Sequence, residues 1–290
     1  MTVERFPSPP VDGQSHVERL PVPALRGLVS SVWVQQVGRG AAPYAHRRIP
    51  NGSMELTCTI GSAPRVAGPL AAPRVEVLAP GTVVVGMRFR PGAFSSLVRM
   101  PASELTGLAL DTEELWGRSA SALGEAVGGA PSPEAALAAM QRDVLDRAGA
   151  APPPDALVSA MVRDLGVWGA TGVAPLRSTL HLSESQLRRR CHAAVGLAPK
   201  TLHRMLRFQG FLALVQQAIA QGRAPDGDGL ALLALRVGYA DQSHLTRECV
   251  RLTGLPPRAF LVETERTCAC GHEHAASFTS ALRGEARGPA

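Results

Sequence analysis

Between residues 183 and 260 the chain carries one pattern twice. Ser183-Glu184-Ser185-Gln186-Leu187-Arg188-Arg189-Arg190-Cys191 aligns with Asp241-Gln242-Ser243-His244-Leu245-Thr246-Arg247-Glu248-Cys249 at an offset of 58 residues. The alignment continues through Gly196/Gly254, Leu197/Leu255 and Pro199/Pro257, and seven of the 20 aligned positions are identical. A repeat of this kind restricts the fold to one that uses the same supersecondary unit twice.

Each copy reads as a capped helix. Ser183 stands at an N-cap with Gln186 three residues later, the pattern of a capping box, and Asp241 takes the cap of the second copy. Leu187, Cys191 and Val195, and then Leu245, Cys249 and Leu252, form apolar stripes at helical spacing. Both helices stop at a glycine, with an apolar residue next and a proline two places beyond that.

A shorter apolar segment precedes each helix, Val173–Leu180 and Leu230–Val237. Short helix, tight turn and second helix with a polar outer face describe a helix-turn-helix. The outer faces hold Ser185, Gln186, Arg188 and Arg189 in the first copy and Gln242, Ser243, Thr246 and Arg247 in the second. Arg can pair with guanine and Gln with adenine, while Ser and Thr bond base edges or phosphates. Thr201, Arg204 and Arg258 are secondary candidates for phosphate contacts. No carboxylate, nucleophile and base converge on these faces, which argues against an enzyme. The Cys191-His192 pair has the residue types of an alkyltransferase site, but it lacks that motif's flanking Pro and Arg and lies inside a helix.

The run Leu182–Arg207, together with Gly238-Tyr239-Ala240-Asp241-Gln242-Ser243-His244-Leu245-Thr246-Arg247, closely resembles the DNA-binding domain of AraC-type transcription regulators. The resemblance spans roughly residues 155–262. It implies two helix-turn-helix units on either side of a long helix, each placing a recognition helix in one of two successive major grooves of double-stranded promoter DNA. Pro199–Gly222 would be that connector, with Leu202, Leu206, Leu212, Val215 and Ile219 on its apolar side. One monomer would then span about one turn of DNA, roughly 34 Å. Cys191 and Cys249 stand where the family usually has a large aromatic, and free Cys commonly behaves as a small core residue.

Charge supports the same region. Residues 167–260 hold 12 basic and 5 acidic side chains, a net +7, against 14 and 13, a net +1, over residues 1–150. Concentrated positive charge is what phosphate neutralisation needs. No apolar run is long enough for a membrane span, and the first ten residues lack a signal-peptide pattern. Five Cys in 290 residues fit a reducing compartment, so a cytoplasmic protein is expected.

The expected fold class is α+β with two domains. Residues 1–20, Pro-rich and polar, read as a flexible N-terminus, and residues 21–148 as a β-rich sensor or dimerisation domain. Leu28–Val37, Met54–Ile60, Val75–Leu78 and Thr82–Phe89 are strand-like, separated by Gly, Pro and Asn turn formers, and suggest a small barrel or sandwich. Pro101–Trp116 is partly helical, and Ser132–Ala148 reads as a helix with Pro133 at its first position. The proline run in residues 149–154 breaks any helix and makes a stiff linker to a DNA-binding domain at 155–262.

Arg48–Leu56, Gly86–Ala93, Pro101–Thr106 and Leu115–Gly117 resemble the β-rich N-terminal domain of poorly defined function found before many AraC-type domains. The resemblance implies a cupin-like barrel that binds a small-molecule effector, forms a homodimer, or both. Tyr44, His46, Arg88 and Arg90 could line a pocket and grip an anion, two arginines at i and i+2 on a strand sharing a face; the plainer reading makes them surface or interface residues.

The tail at 263–290 contains Cys268, Cys270, His272 and His274, which are zinc-ligand types at a spacing tighter than a finger's. A metal-responsive sensor is therefore an alternative to an incidental Cys/His tail. The loop Arg223–Gly229 has Asp and Gly but too few acidic ligands for calcium, and reads as a turn.

Overall fold

The computed structural model describes residues 13–98, 100–166, 173–221 and 227–267. Eight strands lie among them: β1 (Gln14–Arg19), β2 (Val29–Val37), β3 (Tyr44–Arg48), β4 (Glu55–Thr59), β5 (Arg65–Ala67), β6 (Arg74–Leu78), β7 (Val83–Phe89) and β8 (Ala109–Asp111). Six make one antiparallel sheet in the order β1-β2-β7-β4-β5-β8, and β3 pairs with β6 in a second sheet. No strand pairing joins the two sheets among the described residues, so the described strands form two open sheets.

The longest strand shows why the large sheet has two different faces. Side chains alternate along β2. Val32 and Val34 enter an apolar cluster with Leu56, Val85, Met87 and Phe89, which Leu137, Met140 and Val144 cover. Ser31, Trp33 and Gln35 fall on the opposite side. Register then fills that side with polar groups: Trp33 sits opposite Glu18 and Gly86, Gln35 opposite His16, and Arg88 opposite Ser31 and Glu55. A Cβ on Gly86 would lie 2.2 Å from the Trp33 ring, so the indole occupies the space that glycine leaves.

Two expectations change here. The segment 1–20 is not wholly a flexible terminus, because Gln14–Arg19 pairs along its length with β2. Tyr44 and His46, read above as pocket or surface residues without a strand assignment, lie on a strand, Tyr44–Arg48, that pairs with β6.

Helices follow the sheet. α1 (Thr112–Trp116) and α2 (Ser121–Gly128) lead to α3 (Pro133–Ala150), where Ser132 Oγ accepts from the Ala135 amide at 3.3 Å. α3 continues through Gly149 and Ala150, so the proline linker is shorter than expected; Asp155 ends it by capping α4 (Ala156–Asp164). Then come α5 (Val173–Thr179), α6 (Glu184–Val195), α7 (Pro199–Ala220), α8 (Gly227–Arg236), α9 (Gln242–Thr253) and α10 (Pro257–Thr267). α7 is the expected connector, with Leu202, Leu212 and Val215 buried and Leu206 partly so; Ile219 lies outside the described side chains. α10 runs five residues past the expected domain end at 262. No described helix is long and apolar enough to cross a membrane.

The linker does not hold the domains apart. Ile49 packs against the core of the helical domain. Cβ atoms on Gly52 and Gly92 would lie 2.6 Å from Leu202 and 2.7 Å from Val158, so backbone from the first domain meets side chains of the second directly.

Candidate nucleic-acid interface

The two copies of the repeat fold alike. Ser183 Oγ accepts from the Gln186 amide and Gln186 Oε1 accepts from the Ser183 amide, closing the capping box. Asp241 Oδ1 accepts from the His244 amide at 2.6 Å. Both helices end on a left-handed glycine, Gly196 and Gly254, each at φ 80°. Leu187, Cys191 and Val195 point inward, as do Leu245, Cys249 and Leu252. Burial pushes the Cys191 thiol up to about 12 and that of Cys249 to about 11, so both are core groups and not nucleophiles.

Inward stripes leave the outer faces in solvent. Ser185, Gln186, Arg188 and Arg189 are all exposed on α6, and neither Arg188 nor Arg189 is in an ion pair among the described residues. The neighbouring Arg190 is different: its Nη1 bonds Asp155 at 2.7 Å and ties α6 to the start of α4. On α9, Gln242, Ser243 and Arg247 are exposed. Thr246 is half-buried and its hydroxyl donates to the Gln242 carbonyl, which leaves only its acceptor side for a ligand. The side-chain amide nitrogen of Gln186 keeps its protons, because only its oxygen serves the cap.

The secondary candidates separate. Arg258 is exposed and Thr201 half-buried at the start of α7. Arg204 is held at 2.9 Å by Glu248, a carboxylate buried in α9, so it fastens the connector to the second recognition helix and is not free for phosphate. Glu248 is a residue that sequence reasoning passed over. Its charge could have been noticed on the inner face of α9, at the position before Cys249.

Behind the recognition helices the first domain grips both. The Thr106 hydroxyl donates to the Gly196 carbonyl at 2.9 Å, at the end of α6. Arg47 Nη1 donates to the Thr253 carbonyl at 3.0 Å, at the end of α9, while Nε and Nη2 bond Glu263. Helix C-termini expose carbonyls without partners and carry partial negative charge, which suits a guanidinium.

The proposed N-terminal pocket forms only in part. Tyr44, His46 and Arg88 line a cavity of about 230 Å³ between the domains. Arg90 does not: β7 ends at Phe89, and the Arg90 guanidinium turns away to the Arg26 carbonyl. Arg88 lies between Glu18, at 2.7 Å, and Glu55, at 2.8 Å, so it cannot grip an anion without breaking these pairs. Burial raises the Glu55 carboxyl, but Arg88 and Arg48 outweigh it and hold it below its ordinary value. His46, desolvated and facing His16, is lowered to about 4. Its ring stacks on that of His16 at 6.3 Å, two histidines that are 30 positions apart in the chain. No group of His, Cys, Asp and Glu among the described residues could hold a metal, and Cys268, Cys270, His272 and His274 lie outside those residues.

Two capped helices on one connector, each with an exposed polar face and in a strongly basic region, define a double helix-turn-helix DNA-binding protein. Residues 176–262 match a family described as a helix-turn-helix domain, and residues 17–111 a domain of unknown function (DUF6597). The chain has the make-up of an AraC/XylS-type transcription regulator, with an AraC-type DNA-binding domain behind that N-terminal domain. No curated protein and no solved structure matches the chain.

Proposed function

We propose that this regulator reads two successive major grooves of promoter DNA, and that its N-terminal domain modulates the reading. Ser185, Gln186, Arg188 and Arg189 would enter one groove and Gln242, Ser243, Thr246 and Arg247 the next, with Arg258 and Thr201 on phosphates. The observation that carries the first part is the solvent-facing polar side of both helices, where Arg188, Arg189 and Arg247 are exposed and in no ion pair among the described residues. The second part rests on Thr106 and Arg47, which bond the ends of the same two helices. A cytoplasmic homodimer on paired half-sites belongs to the same reading.

The test is binding of the full chain to its own upstream promoter region and to scrambled DNA across a salt series. Preference for the promoter that survives high salt supports base readout. Equal binding that collapses with salt would leave only phosphate contact and remove the reading. Zinc at Cys268, Cys270, His272 and His274 is a separate proposal, on donor chemistry alone. Metal analysis with and without residues 265–290 decides it.

A further inference from the structure

The cavity between the domains has a specific chemistry. One wall comes from the polar face of the large sheet and from β3, and the other from Gln209, Leu212 and Gln216 of α7 and Phe260 and Leu261 of α10. A molecule in it would touch both domains at once.

Its charges are already matched. Arg88 is divided between Glu18 and Glu55, Arg48 between Glu55 and Glu76, and Arg47 forks onto Glu263. A charged ligand would have to break one of these pairs and leave a partner uncompensated, which is costly where that partner is buried, as Glu18 and Glu55 are. A neutral ligand avoids that penalty.

Two hydrogen-bond donors are left over, one from each domain. The Trp33 indole N–H and the Gln209 side-chain amide nitrogen are both buried without an acceptor among the described residues, and both residues line the cavity. Buried donors without partners are uncommon and destabilising, so acceptor atoms brought by a ligand would gain more here than at a surface.

The wall is also built of rings. Trp33 lies 5.5 Å from His16, His16 6.3 Å from His46, and His46 6.0 Å from Tyr44, centroid to centroid. The chain has three Trp and two Tyr in 290 residues, and one of each is here. A cavity whose charges are paired among themselves and whose wall presents rings suits a flat, uncharged ligand.

We infer that this cavity binds a small uncharged aromatic or heteroaromatic molecule carrying carbonyl-type acceptors, and that its occupancy alters the hold of the N-terminal domain on the recognition helices. The regulatory half rests on the proposed DNA-binding function; the binding half does not. The link is geometric, because Arg47 and Glu263, the residues of the clamp, also line the cavity.

The experiment uses the full chain and a matched set of ring compounds at millimolar concentration: benzamide (neutral), benzoate (anionic) and benzamidine (cationic). The expected result is a rise of a few degrees in Tm with benzamide and none with the two ions. In the Trp33→Phe and Gln209→Leu variants, tested separately so that one misfolded variant does not decide the matter, the benzamide Kd should weaken about tenfold. Preference for benzoate or benzamidine, no shift with any of the three, or unaltered benzamide affinity in both folded variants would overturn the site. In parallel, promoter affinity with benzamide should change at least threefold. A Tm shift without that change overturns the regulatory half alone. If the chain binds no promoter DNA, the Tm arm still decides the site.

Discussion

Arg47 and Glu263 meet as a fork, Nε to Oε1 at 2.6 Å and Nη2 to Oε2 at 3.0 Å, across 216 positions of sequence. The pair joins strand β3 of the first domain to the last described helix of the second. Its third donor reaches the end of the second recognition helix, so one guanidinium ties together three elements.

A double-mutant cycle of Arg47→Ala and Glu263→Gln should give a coupling of about 1 kcal/mol, above the usual value for a fully exposed pair because both side chains are partly shielded and the contact is bidentate. Urea unfolding measures the coupling. Amide exchange should also accelerate at the end of α9. Additive single effects would mean that the fork holds nothing together.

The two cap glycines supply an internal control. Gly196 and Gly254 share the same left-handed backbone, so alanine at either should cost about 1–2 kcal/mol in strain. Gly196 is also packed: a Cβ there would lie 2.6 Å from Thr106 Oγ1 and 2.8 Å from the Ala102 carbonyl. At Gly254 the nearest atom is on Arg47, at 3.7 Å. Gly196→Ala should therefore be the costlier change, by a further 1 kcal/mol or so of overpacking. Equal losses in thermal unfolding would contradict the domain contact at Thr106.

Arg204 and Arg258 should behave oppositely. Arg204→Ala leaves the buried Glu248 carboxylate without its closest partner and should lower stability by roughly 2–3 kcal/mol, without changing the salt slope of DNA binding. Arg258→Ala should spare stability and reduce that slope by about 1. A flattened slope for the Arg204 variant would restore it as a phosphate contact.

Arg189 and Arg247 occupy equivalent positions in the repeat, exposed on their helices. Replacing either with alanine should cost about 1–3 kcal/mol of promoter affinity and relax base preference at one position, the two positions about a helical turn apart. Competition against single-base variants of the promoter reads this. A uniform loss over all variants would make the residue a phosphate contact.

His46 makes stability depend on pH. Its value in the folded chain, about 4, is below the ordinary 6.5, so between those limits the unfolded chain binds a proton that the folded chain does not. Stability should fall as pH drops through that window, by on the order of 3 kcal/mol, and level off beneath it. The groups that face it are His16, Tyr44, Arg48, Glu55 and Glu76. His203, lowered by burial and by Arg207, acts in the same direction, so the comparison is between wild type and His46→Gln. The pH slope of the urea midpoint from 7 to 4.5 should be shallower in the variant. Identical slopes would refute the assignment.

The sequence by itself determined the helical half of this protein. Caps, apolar periods and left-handed glycines act within four or so residues, so Ser183, Asp241, Gly196 and Gly254 could each be read where they stand. Strands were legible where a run was apolar, as in Val29–Val37, and not where it was polar, as in Gln14–Arg19 and Tyr44–Arg48, because those residues are strand only through the partners opposite them. Sheet register decided the rest. It placed His16, Trp33, Glu55 and Arg88 on one face, turned Arg88 from an anion ligand into a paired charge and left Arg90 outside. The clamp on the recognition helices was likewise decided only by the tertiary structure. A bond between residues 216 positions apart depends on where two domains dock, and no local pattern records that.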